Sequence, residues 1–193
     1  MRKLALQMQM TLDGFVGDRD GNVEWAFPSF DDEFTQWAVA SLQGAGVHIM
    51  GGRTGKALAE YWPEPTEPRD LPFAPVFNAN PKVIFSKTLE SVEWNNTRIE
   101  RREAAEGIAR LKAEDGGDYI LMHGGATFAR ALSQLGLIDE YHLMVHPVVL
   151  GAGDPLFPAF DPPLRLELNG RASISSGCVL HVYRRSDCEG GER

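Results

Sequence analysis

Two stretches of this chain run from apolar residues through paired glycines into helical spacing. They are Val47-His48-Ile49-Met50-Gly51-Gly52-Arg53-Thr54 and Tyr119-Ile120-Leu121-Met122-His123-Gly124-Gly125-Ala126-Thr127-Phe128. A strand that turns at once into a helix is a βα unit, and a chain built from such units folds around a largely parallel sheet. In the second stretch the helix continues through Ala129, Leu132 and Leu135. Without Cβ atoms, Gly124 and Gly125 take backbone angles closed to other residues and let a ligand approach the main chain. The first N–H groups of the following helix have no partner within it, and its dipole is positive there, which suits a phosphate. A plain tight turn would carry the same residues.

The remaining order agrees with that frame. Leu4 to Met10 alternates apolar residues with Gln7 and Gln9, predicting a strand that ends at the turn Thr11-Leu12-Asp13-Gly14. A helix is expected from Ser29 or Asp31, with Phe34, Trp37, Ala38 and Leu42 on one face and Gly44 and Gly46 marking its end. Lys56 to Tyr61 continues the first corner as a helix. Six prolines in the segment from Trp62 through Pro81 predict an irregular surface loop near a pocket. Lys82 to Ser86 reads as a strand, Trp94 to Glu100 as a pairing segment, and Ala104 to Glu114 as a helix. Tyr141 to Leu150 is a long apolar run, suited to sheet core or to a homodimer interface. Leu164 to Asn169 and Cys178 to Arg184 are expected as antiparallel strands, turning near Gly170 or through Ile174. Residues 1–185 form one domain in this reading, and 186–193 a polar tail.

A length of 193 residues with 43% hydrophobic and 24% charged residues suits one globular domain. The net charge of −8 opposes nucleic-acid binding, which needs clustered Lys and Arg. Arg98, Arg101 and Arg102, mixed with Glu100, Glu103 and Glu106, read as a solvated face. Cys178 and Cys188 make neither a disulfide framework nor a metal spacing, so two reduced thiols in the cytoplasm are expected. The N-terminal run is too polar for a signal peptide and too short for a membrane span.

Parallel strands share a C-terminal edge, so the corners at Gly51, Ser86 and Gly124 fall on one rim, where open α/β sheets bind ligands. Gly124-Gly125 offers backbone N–H groups to a pyrophosphate. Arg53 and Thr54 offer a cation and a hydroxyl, and Ser86 and Lys87 offer a second such pair. A dinucleotide with an extra 2′-phosphate needs that set. Solvated surface charge is the usual fate of Arg53 or Lys87 taken alone, and the spacing of one βα unit per corner tips the balance toward a site.

The whole set resembles dihydrofolate reductase: Phe15-Val16-Gly17 through Trp25, Pro28 and Phe34, then Ile49 to Thr54, Val83 to Lys87, and Gly124-Gly125. Thr11 to Gly14 and the segment Gly136 to Phe157 are similar to one branch, the reductase domain of bifunctional riboflavin-biosynthesis enzymes and its stand-alone bacterial relatives. The resemblance implies a dihydrofolate reductase-like three-layer α/β sandwich whose central sheet is mostly parallel with an antiparallel C-terminal edge. It also implies NADPH. Gly52, Arg53, Thr54, Ser86 and Lys87 would take the adenosine and 2′-phosphate, and Gly124, Gly125, Ala126 and Thr127 the pyrophosphate. Val16 and Gly17 would lie near the nicotinamide.

Departures from the pattern qualify the chemistry. Folate reductases carry an acid four positions before the phenylalanine matching Phe34, and here Phe30 stands there, followed by Asp31 and Asp32. One helical residue turns a side chain by about 100°. Asp31 is therefore either a proton donor or a helix N-terminal charge, and Asp13 either a donor or a turn residue. His123 stands where riboflavin-pathway reductases usually carry an acid; packing is its expected role, with proton donation as the alternative. The chain is accordingly expected to be an NADPH-dependent oxidoreductase of a small pterin- or pyrimidine-like substrate. The alternatives are 5-amino-6-(5-phosphoribosylamino)uracil reductase of riboflavin biosynthesis and a nucleotide-binding protein without turnover.

Overall fold

A computed structural model describes residues 1–157 and 159–186. Eight strands form one sheet in the order β5-β4-β3-β6-β1-β7-β10-β9. In chain order they are β1 (Lys3–Thr11), β3 (Ala45–Gly51), β4 (Lys82–Phe85), β5 (Thr97–Glu100), β6 (Tyr119–His123), β7 (Glu140–His146), β9 (Leu166–Ser173) and β10 (Val179–Arg185). β5 through β7 run parallel, while β10 is antiparallel to both β7 and β9. The short strands β2 (Phe15–Gly17) and β8 (Asp154–Pro155) pair separately. This is the mostly parallel sheet with an antiparallel C-terminal edge that the order of elements predicts.

Alternation along β1 divides the core between the sheet's two faces. Leu4, Leu6 and Met8 pack with Ile108 and Leu111 of α4 (Ala104–Ala113) and Ala129 and Leu132 of α5 (Ala126–Gln134). On the other face Ala5 joins Phe34, Ala38 and Leu42 of α1 (Asp32–Gly44), Ala59 of α2 (Gly52–Tyr61) and Val76 and Phe77 of α3 (Ala74–Ala79). The spacing of four between Phe34, Ala38 and Leu42 puts all three on one side of α1. The result is three layers.

Several boundaries differ from expectation. The proline-rich segment contains α3 and a 3-10 turn at Pro68–Asp70. Pro75 sits in the first turn of α3, where a missing N–H disrupts nothing, so Phe73, Val76 and Phe77 can be buried. Only the first part of Tyr141–Leu150 is strand. Tyr141, Leu143 and Met144 are enclosed in the sheet's packing between β1 and β10, which accounts for that run's apolarity without a dimer. The final hairpin turns between Ile174 and Cys178, and Gly170 lies within β9, where the pairing with β10 shifts register. Cys178 is a buried free thiol; Cys188 and residues 187–193 of the tail lie outside the described residues. Among the described residues no helix is long and apolar enough to cross a membrane, and no cluster of His, Cys, Asp or Glu suits a metal ion.

Candidate active site

β4, β3 and β6 are neighbours, so the turns that follow them stand side by side at the sheet's C-terminal rim. A cavity of about 720 Å³ opens there, within the usual range for small-molecule sites. Val16, Gly17, Gly52, Arg53, Thr54, Gly124, Gly125, Ala126 and Thr127, all expected from the sequence, line it.

The corners touch. Gly124 and Gly125 stand at φ +41° and +77°, in the left-handed region. A Cβ added at Gly125 would lie 2.5 Å from Thr54 Oγ1, and one at Gly52 would lie 2.8 Å from Ser86 Oγ. Helices α2 and α5 therefore begin against one another and aim their first N–H groups at one space. Neither has a side-chain cap, whereas Asp31 caps α1. The exposed Arg53 guanidinium forms no ion pair among the described residues. This donor set fits an anionic pyrophosphate beside a further phosphate.

Ser86 and Lys87 adjoin this space without lining it. Ser86 Oγ accepts hydrogen bonds from the backbone N–H groups of Thr88 and Leu89 at 3.3 and 3.0 Å. The Lys87 ammonium is paired with Glu103.

The two candidate proton donors are structural clasps, and neither lines the cavity. Thr11 Oγ1 donates to Asp13 at 2.6 Å, and the N–H of Gly151 donates at 2.7 Å, tying the turn after β1 to the loop after β7. Asp31 accepts from the N–H of Phe34 at 2.8 Å and from Ser175 Oγ at 2.7 Å. The Thr11 bond foremost for Asp13, and the Phe34 and Ser175 bonds for Asp31, hold both carboxyls below the usual aspartate range. Such bonds favour the ionised form of each carboxylate. Both carboxylates expected as catalytic are thus engaged in structural bonds, away from the cavity lining. Position 30, where folate reductases place their acid, holds a phenylalanine stacked on Phe34 with ring centroids 4.4 Å apart.

A second set of polar residues borders the cavity on the α1 face of the sheet. Gln7 accepts from Ser41 Oγ at 3.0 Å, and Gln9 Oε1 meets His146 Nε2 at 2.6 Å. His123 Nε2 meets Nδ1 of the fully buried His48 at 2.5 Å, and the two rings are nearly coplanar, at 6°. His48 Nε2 lies 2.8 Å from Asn80 Nδ2. Burial holds both histidines neutral: it lowers His48 to about 4, with the charge of Lys82 adding to the effect. His123 is lowered well below its ordinary value by burial first and by His48 second. Lys82 is itself buried, donating to the carbonyls of Phe77 and Asn80 at 2.6 and 2.7 Å, and thereby fixes the segment that carries Asn80. Sequence reading missed His48, Asn80 and Lys82. The available signal was a histidine inside the apolar run Val47-His48-Ile49, since a buried polar group requires a partner.

Comparison with known proteins agrees with this architecture. YyaP of Bacillus subtilis (strain 168), an uncharacterized protein, is 30% identical over 183 residues, covering 94% of each chain. A protein of Shewanella sp. PV-4 named for riboflavin biosynthesis superposes with a TM-score of 0.76 at 20% identity, over 97% of this chain and 100% of the other. Dihydrofolate reductase from Enterococcus faecalis, solved in complex with NADP(H), gives a TM-score of 0.59 at 11% identity, over 96% and 97%. The RibD C-terminal domain matches residues 2–180, and with that span nearly the whole chain belongs to the RibD C-terminal domain family, on a dihydrofolate reductase-like fold.

Proposed function

We propose that this protein is an NADPH-dependent reductase of a small pyrimidine- or pterin-like heterocycle. One observation carries the reading: two helices without side-chain caps begin against each other at a glycine-lined cavity, with the Arg53 cation beside them. Family membership and the NADP(H)-bound relative of the same fold support it. Gly124, Gly125, Ala126 and Thr127 would hold the pyrophosphate, Gly52, Arg53 and Thr54 the 2′-phosphate end, and Val16 and Gly17 the nicotinamide side. NADPH would supply the hydride. The chain's own residues bind and orient the two reactants and exclude bulk water between them. With Asp13 and Asp31 ionised and engaged in structural bonds, water entering the cavity is the proposed proton source.

Titration of NADPH and NADH, followed by cofactor fluorescence, tests the reading. Arg53→Ala should weaken NADPH binding by about 1.5–3 kcal/mol, the loss typical of a charge-assisted bond, and should leave NADH nearly unchanged. Lys87→Ala should cost less, since Glu103 already holds that ammonium. Equal affinity of the unmutated protein for NADPH and NADH would sink the 2′-phosphate assignment. NADPH consumption with candidate heterocycles separates an enzyme from a nucleotide-binding protein without turnover.

A further inference from the structure

The hydrogen bonds behind His123 determine which of its ring nitrogens carries the proton. The carbonyl of Leu42 is only an acceptor, and Asn80 Nδ2 lies 2.9 Å from it. The amide must therefore turn its NH2 that way, because the reverse orientation would set two oxygens against each other. The second hydrogen of that NH2 has His48 Nε2 at 2.8 Å and the Ala45 carbonyl at 3.5 Å. At the shorter distance an NH2, which has no acceptor capacity, requires Nε2 to accept. His48 then carries its proton on Nδ1 and donates to His123 Nε2. His123 is left with its proton on Nδ1. That nitrogen forms no hydrogen bond among the described residues, and its side chain lines the cavity.

The neighbouring side chains present the same polarity. His146 Nδ1 is buried without a partner. A bare lone pair there is less costly than an orphaned N–H, so His146 donates through Nε2 and Gln9 accepts through Oε1. The Gln9 NH2 has no partner among the described residues. Gln7 Oε1 is likewise occupied by Ser41, leaving its NH2 only a 4.0 Å contact with Met144 Sδ. Among the described lining residues Asp154 is the one carboxylate, and Arg130 holds it at 2.5 Å. The wall thus offers donors and no free anionic acceptor.

We propose that His123, kept as its Nδ1–H tautomer by the positioning residues His48 and Asn80, donates to a ring carbonyl of the heterocycle, so that this wall selects carbonyl-bearing over amino-bearing rings. The inference rests on the reductase reading for the identity of the ligand as substrate. An exocyclic amine placed here would set N–H against N–H, leaving buried donors unmatched.

Two measurements test it. Long-range ¹H–¹⁵N spectra of the imidazoles at pH 7.5, without cofactor, should show both His48 and His123 as Nδ1–H tautomers, and Asn80→Val should lose that state. Binding of a matched pair, pteridine-2,4-dione and 2,4-diaminopteridine, is then measured by calorimetry with and without NADPH. The dione should bind tighter by about tenfold or more; His123→Ala should erase the preference and His123→Asp invert it. An Nε2–H tautomer at His123 in the unmutated protein, equal binding of the two rings, or binding of neither overturns the inference. Failure of NADPH to bind, with the tautomer and the dione preference intact, overturns the reductase reading instead.

Discussion

At Gly125 one residue serves both packing and site. Its φ of +77° disfavours any side chain, and a Cβ would press on Thr54 Oγ1 at 2.5 Å. Gly125→Ala should therefore destabilise the fold by roughly 1–3 kcal/mol in urea denaturation, combining backbone strain with the clash. Adding Thr54→Ala should recover the steric share alone. Full recovery in the double variant would show that backbone strain contributes nothing. The glycine pair was legible in the sequence because its backbone requirement is local. For Asp13 and Asp31 the local half was legible too, as a turn residue bonded to Thr11 and a helix N-terminal residue bonded to the Phe34 N–H. Their distant partners were not, such as Ser175 for Asp31, 144 positions away, nor was Glu103 for Lys87. His48 and His123 are 75 positions apart and illustrate the same limit.

Among the elements, α1 gives the clearest separation of structure from chemistry. Asp31 caps it and also receives Ser175 Oγ from the turn between β9 and β10, while Glu33 accepts the Ser175 N–H at 2.8 Å. Asp31→Ala should lower unfolding free energy by about 1 kcal/mol, as loss of a cap does, with turnover per folded molecule preserved. Abolished turnover at unchanged stability would restore a catalytic role. The apolar face of α1 was readable from its spacing of four residues. Helix α3 was not, because a proline in the first turn of a helix looks, in sequence, like the prolines of a loop around it.

For the whole molecule, buried histidines contribute to the response to mild acid. His48 and His146 are each lowered by burial to about 4, from an ordinary value of 6.5. The unfolded chain therefore takes up protons first as pH falls. Stability from these groups is complete above pH 6.5, declines as pH drops toward 4, and levels off below it. For His48 the shift corresponds to roughly 3 kcal/mol. Denaturation at pH 7.5 and 4.5 should show that loss, and His48→Phe should flatten the slope between them. An unchanged slope in the variant would remove His48 as its source.

Strand β1 outruns β6: their pairing stops at Gln7 and His123, while β1 continues beside β7 to Thr11. From Met8 to Thr11 one side of the strand thus lacks a sheet neighbour. Open strand edges ordinarily invite a second copy to add on, the first step towards aggregates. Here Met8 and Thr11 are buried, Gln9 and Met10 are partly covered, and β2 packs nearby. Met8 and Gln9 line the cavity, so the interrupted ladder turns its free edge towards the candidate site, and a second strand could add there only by filling that cavity.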